Sequence, residues 1–155
     1  SQHGWVTVET LKKSKTISLK PFTKKYGKVI KVIGTKYKPK QYLLLENRTR
    51  KGFDFHLPGE GLLVWRVDET KEQVSSLNPA LLLLQADGRH DLEKPDDWNA
   101  GDAGDPFPGK SRKVRLSDAG KVSTSFPGGK KSGVAISMIR FNQAKGELKF
   151  KVTIK

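Results

Sequence analysis

Two stretches decide the fold class: QYLLLENR at residues 41–48 and GLLVWRVDE at residues 61–69. Each sets several large aliphatic side chains in a row and ends in charge. A run this short, dense in branched and aromatic residues, reads as a strand. The lack of polar alternation inside the runs predicts central strands buried on both faces, surfacing only at their last residues. Working outward, GWVTVETL (4–11) sets Trp5, Thr7 and Glu9 against Val6 and Val8, as a half-buried strand would. TISLKPF (16–22) is a strand stopped by Pro21. GKVIKVIGTKYK (27–38) begins and breaks at Gly27 and Gly34, and its lysines alternate with apolar residues as on an exposed strand face. PALLLLQADG (79–88) is another apolar run, closed by a turn at Asp87–Gly88. GVAISMIRF (133–141) and GELKFKVTIK (146–155) are the last strands, joined by the hairpin-sized NQAKG. VDETKEQVSSL (67–77) lacks the apolar stripe of a helix. The expectation is a single all-β domain over 1–155 with eight or nine strands, an antiparallel sandwich or distorted barrel with long irregular loops at 46–60 and 87–113.

At 155 residues the chain is long enough for one domain with a true core. It contains no cysteine, which excludes disulfides, thiolate metal sites and a Cys nucleophile. No apolar run approaches the roughly 18 residues that span a bilayer, and no signal peptide is visible. The net charge of +14 is unevenly spread, at +12 over 1–51, −8 over 52–109 and +10 over 110–155. Basic flanks around an acidic middle suit a polyanion binder, and equally a domain whose lysines line solvated strand faces. Tyr26, Tyr37 and Tyr42 lie among lysines, but no nucleic-acid recognition motif accompanies them.

The motifs of the common hydrolases are missing. His3, His56 and His90 are isolated and no HExxH occurs, so no zinc site is expected in this chain. No G-x-S-x-G elbow is present. FPGGKKSG (126–133) offers lysines and glycines for an anion but leads into a strand instead of a helix; Ser132–Gly133 reads as a turn. The acids concentrate in DDWNAGDAGDPFPG (96–109), where Asp97, Asn99, Asp102 and Asp105 stand among small residues, with Asp87 and Asp91 nearby. Calcium takes six to eight oxygens from such a set. The spacing does not match an EF-hand, and exposed turns with capping aspartates explain the same residues. Both readings stand.

Several segments occur in a telling order: HGWV, YLLLENR, GFDFHLPGEGLLVWRVDE, LLLLQADGRHDLE, GDAGDPFPG and SGVAISMI. Together they resemble the region just after the catalytic domain in secreted bacterial metalloproteases of the immune inhibitor A-like family. The likeness runs over residues 3–154 and is least specific in the Lys-rich 11–40. Arg66 stands where that pattern has His before the VDE. The resemblance implies a non-catalytic, β-rich accessory domain or fragment, without peptidase activity of its own. It implies a zinc peptidase as parent, that protein's catalytic domain as partner, and secretion. It also implies structural calcium at Asp87, Asp102 and Asp105. Glu46 with Arg48, and Arg66 with Asp68, lie two apart on their strands and so share a face. They are expected to form structural ion pairs that anchor the long loops. The alternative function is an independent polyanion-binding module using the basic flanks, with no specific nucleic acid and no membrane span expected.

Overall fold

The computed structural model describes residues 7–21, 27–48, 60–70, 81–86, 106–108, 112–119, 122–126 and 131–155. These hold eight strands and no helix: β1 (Thr7–Leu11), β2 (Lys15–Leu19), β3 (Lys28–Val32), β4 (Gln41–Arg48), β5 (Gly61–Asp68), β6 (Leu81–Leu83), β7 (Val134–Asn142) and β8 (Glu147–Ile154). They make a five-stranded sheet in the order β1-β3-β4-β5-β6 and a three-stranded sheet in the order β2-β8-β7. A single apolar cluster joins them. Ile30, Val32, Leu43, Leu45, Leu62 and Val64 come from the larger sheet, and Ile17, Leu19, Ile136, Leu148, Phe150 and Val152 from the smaller. The fold is therefore an all-β sandwich, not a closed barrel.

The local punctuation explains most strand ends. β3 starts after Gly27 and the chain turns at Gly34, while β7 and β8 form the hairpin through 143–146. Three expectations need correction. The first concerns strand direction. β1 runs parallel to β3, with Thr7 opposite Lys28 and Leu11 opposite Val32. The cause is β2, which lies between them in sequence but joins the other sheet, antiparallel to β8. The chain then re-enters the first sheet travelling in its original direction.

The second concerns burial. β4 is not buried on both faces: Leu43, Leu45 and Asn47 face the core, whereas Tyr42, Leu44, Glu46 and Arg48 are half-buried on the other side. β5 is closer to the expectation, with Gly61 to Val64 all buried, but it does not surface at its end, because Asp68 is buried too. Its carboxylate accepts hydrogen bonds from Gln41 Nε2 (2.9 Å), from the Thr70 amide (3.0 Å) and from the Thr70 hydroxyl. A buried acid with such partners avoids the cost of an unsatisfied charge. The third is Val8, which is exposed; in β1 only Leu11 reaches the core.

Inside the 87–113 stretch, the described residues 106–108 are pinned to the sandwich. Phe107 is buried, and its amide and carbonyl pair with the carbonyl and amide of Leu62 at 2.8 and 2.7 Å. On the near side, Ala86 is buried and the Leu84 amide bonds to the Val64 carbonyl at 2.8 Å. Gly61 makes this approach feasible. Its φ is +133°, and a Cβ there would lie 2.4 Å from the Phe107 carbonyl oxygen. Across the sheets, the Asn47 amide nitrogen donates to Leu19 O (3.0 Å) and Gly146 O (2.7 Å), tying β4 to the end of β2 and to the β7–β8 turn.

Gly61→Ala should therefore lower stability by about 1–3 kcal/mol, from backbone strain plus loss of the Phe107 pairing. Urea unfolding of the two proteins measures this, and an unchanged midpoint would contradict the close approach.

Candidate functional site

At one end of the sandwich the chain gathers hydroxyls around a single acid. Residues 112–117 run beside β7, held by the paired Leu116 and Ile136 backbones at 2.7 and 2.8 Å, and the next residue is Asp118. The 122–126 segment folds back so that the Thr124 amide meets Ser117 O at 3.0 Å. Asp118 Oδ1 then accepts from the Ser132 amide (2.6 Å), Ser132 Oγ (2.6 Å), Ser125 Oγ (2.5 Å) and, at longer range, Thr124 Oγ1 (3.3 Å). Asp118 Oδ2 accepts from the Gly133 amide at 3.0 Å. Gly133 has a φ of +70°, a region that glycine enters without penalty. The turn at 132–133 thus binds an anion, as its composition allows, but the anion is the chain's own Asp118.

Partial burial pushes the Asp118 pKa up, but the hydrogen bonds from Ser125, Ser132 and Gly133 outweigh it and hold the carboxyl well below the usual range. A carboxylate so well supplied is a poor base. Ser132 is almost fully buried, and its single hydroxyl proton is directed at that carboxylate. Thr124 Oγ1 lies 2.7 Å from Ser132 Oγ and 2.8 Å from Val134 O. Among the described residues no activating base stands beside Ser132, and its side chain is buried. Its chemistry is that of a clasp.

Aromatic and cationic groups lock this clasp to the larger sheet. Tyr37, in the β3–β4 turn, donates its phenol to Thr124 O at 2.7 Å and meets Phe126 edge-on at 5.0 Å. Burial pushes the Tyr37 phenol well above its ordinary pKa, and the nearby Asp118 charge adds to it. Arg66 on β5 lies 5.6 Å from the Phe126 ring and donates to Ser125 O at 3.2 Å.

The sequence-predicted groups fall as follows. Glu46 and Arg48 stand side by side on β4, 3.0 Å apart, and Glu46 also accepts from Trp65 Nε1 at 3.0 Å. Both are partly exposed, so the pair contributes roughly 0–1 kcal/mol. Arg66 and Asp68 serve different neighbours, Phe126 with Ser125 and Gln41 with Thr70. Asp87, Asp102 and Asp105, with all three histidines, lie outside the described residues. Among the described residues no group of three His, Asp or Glu is placed to hold a metal ion, and no helix is long and apolar enough to cross a membrane. Asp118 was not anticipated from the sequence. The available signal was its isolation: it is one of only two acids in the +10 segment 110–155, near the hydroxyl-rich STS at 123–125.

Two concavities flank the clasp. One, of about 380 Å³, is lined by Arg115, Asp118, Lys131 and Lys155. The other, of about 590 Å³, is lined by Lys12, Lys31, Lys38, Lys40, Tyr42 and Glu69 among others.

Asp118→Asn should destabilise the fold by about 2–3 kcal/mol, since the donors around the carboxylate lose its charge and an NH2 replaces the oxygen that accepts from the Gly133 amide. Because the folded carboxyl titrates below the unfolded one, its contribution is complete at neutral pH. It begins to fade as the pH drops to about 4, where the unfolded aspartate takes up a proton, and declines further toward the lower folded value. The wild type should lose this increment in acid and the Asn variant should not, so their unfolding midpoints should converge as the pH is lowered. Parallel pH profiles would refute the clasp.

Searches against family models, curated proteins and solved structures found no match to this chain.

Proposed function

We propose that the chain is a non-catalytic β-sandwich module of a secreted metalloprotease of the immune inhibitor A-like kind, bracing that protein's catalytic domain. The observation that carries the reading is the placement of the segments on which the resemblance rests. YLLLENR and GLLVWRVDE are neighbours as β4 and β5, paired from Gln41–Asp68 to Arg48–Gly61. Phe107, from GDAGDPFPG, pairs with Leu62 of β5. Segments scattered over some 70 residues of sequence thus form one interlocked unit, as expected of a scaffold whose motifs answer to packing. The hydroxyl–carboxylate cluster serves the same end, because its protons and lone pairs are engaged inside the fold.

The acidic stretch between Ala86 and Phe107 belongs to this reading. Both flanks are fixed against β5, so its two ends are held in place. Structural calcium held by Asp87, Asp102 and Asp105 would close it; the support is the resemblance together with the oxygen-rich composition.

Two measurements test the proposal. Purified chain should hydrolyse no peptide alone, and should raise the melting temperature of an HExxH-bearing catalytic domain from its own parent when added in trans. Peptide hydrolysis by the purified chain would overturn the reading, as would a coding sequence with no protease segment upstream. For the metal, the melting midpoint in millimolar calcium should exceed that in chelator by several degrees, and Asp102→Asn with Asp105→Asn should abolish the difference. Equal midpoints in the wild type would remove calcium.

A further inference from the structure

We propose that the two basic concavities form one continuous track that binds a linear polysaccharide carrying sulfate or phosphate esters. The inference is independent of the bracing role. The larger cavity presents four lysines, Lys12, Lys31, Lys38 and Lys40, and Thr35 lines it as well. The Thr35 hydroxyl donates to the carbonyl of Lys155 at 2.6 Å, and Lys155 lines the smaller cavity with Arg115 and Lys131. Lys36 crosses the junction: its Cδ lies 3.7 Å from where a Cβ on Gly133 would stand, and Gly133 lines the smaller cavity. Eight cationic side chains therefore follow one path across this end of the sandwich.

Among the described residues the acids pair with other cations. Glu9 takes Lys15 (2.7 Å) and Lys28 (3.3 Å), both outside the track. Among the described residues no carboxylate comes within ion-pair distance of Lys12, Lys31, Lys38 or Lys40. Two acids also line the cavities; they keep their charges, but six lysines and one arginine outnumber them there, and their oxygens are taken by other donors. Asp118 is held by its own hydroxyls and amides, and Glu69 accepts the Tyr42 phenol at 2.8 Å.

The rim is also rigid. The turn that carries Lys38 and Lys40 is braced by Gln41, whose Oε1 accepts the Lys38 amide at 3.1 Å while its own amide bonds to Lys38 O at 3.1 Å. The Glu69 amide bonds to Lys40 O at 3.0 Å. The backbone that carries these lysines is fixed before binding, so only the side chains have to be ordered.

The chemistry of the row selects the ligand. Single-stranded nucleic acid needs open aromatic faces on which bases stack. Here the Tyr42 ring is covered by Lys31 Nζ at 4.2 Å, and Tyr37 packs edge-on against Phe126 with its phenol committed to Thr124. Among the described residues the larger cavity is lined by lysines and no arginine, so these offer point charges and not the planar fork that reads phosphate or base edges bidentately. Hydrated ammonium groups spaced along a path suit anionic esters spaced along a flexible chain.

The test measures binding of the whole chain to heparin and to phosphomannan, with oligo-dT and poly-glutamate as comparison ligands. One variant carries Lys12→Gln, Lys31→Gln, Lys38→Gln and Lys40→Gln. A charge-matched control carries Arg140→Gln, Lys145→Gln, Lys149→Gln and Lys151→Gln, exposed on β7, on β8 and in the turn between them. Melting curves establish that both variants fold. The expected result is binding to heparin, phosphomannan or both that weakens steeply between about 50 and 200 mM salt and falls about tenfold or more in the track variant, with much smaller loss in the control. Which polymer binds more tightly identifies the ester. Equal losses in the two variants would mean diffuse charge and overturn the track. Failure to bind either polysaccharide, or tighter track-dependent binding of oligo-dT or poly-glutamate, would overturn the ligand class.

Discussion

The carboxylate of Asp118 is the point on which one end of this sandwich depends. The core alone does not fix the segments 112–119, 122–126 and 131–133, which contribute few large apolar side chains. What fixes them is a shared acceptor. Two backbone amides and two serine hydroxyls converge on one carboxylate, with Thr124 alongside, so that three separate stretches of chain are joined at one group. A charged acceptor suits this role, because hydrogen bonds to an ion are stronger than neutral ones. The arrangement then extends outward through Phe126 and Thr124 to Tyr37 and Arg66 on the larger sheet. The two sheets are thus linked by apolar burial at their centre, by Asn47 at the end where β4 finishes, and by the Asp118 clasp at the other.

That clasp also illustrates how easily a structural cluster resembles a catalytic one. Serine and threonine hydroxyls within hydrogen-bond distance of an aspartate are the raw material of nucleophilic catalysis. The deciding features are burial of the hydroxyl and the direction of the pKa shift. A general base needs a proton affinity near the working pH, whereas Asp118 is driven the other way by the donors around it. The same donors that make it a firm anchor make it a weak base.

Strand content was legible because its signals are local. Gly27, Gly34, Pro21 and NQAKG punctuate the chain where the strands begin, turn or stop, and the apolar runs at 41–48 and 61–69 became the central pair. What the sequence did not reveal depends on distant partners. The parallel β1–β3 pairing follows from where β2 docks, which no periodicity in β1 records. Phe107 sits in a Gly- and Pro-rich stretch that reads as loop, yet it enters the core because Gly61 leaves room for its backbone. Asp68 was read as a surfacing charge and is buried, because Gln41 and Thr70 satisfy it. Met138 breaks the pattern of β7: it lies at a register shift with φ +54° and is exposed, whereas its neighbour Ile139 is buried. Of the candidate site, the basic character of the flanks was visible in composition. Its gathering into a path required the β3–β4 turn to meet the end of β8.

The distribution of charge follows from these same contacts. Glu9, Glu46, Asp68, Glu69 and Asp118 are each engaged by a named donor within the fold. These five acids hold backbone and side chains in place, while Lys36, Lys38 and Lys40 at the β3–β4 turn face solvent. A surface with such a field repels itself, and the compact state carries that destabilisation unless counterions or a partner offset it. An anionic polymer held along the track would relieve it. Strands β4 and β5 lie near the middle of the larger sheet, whereas the track runs along the end closed by the Asp118 clasp. Loss of the clasp would loosen the 131–133 wall of the smaller cavity and leave β4 and β5 paired, because those strands are held by their own ladder and by the apolar core, while one carboxylate supports the end of the sandwich that carries the charge.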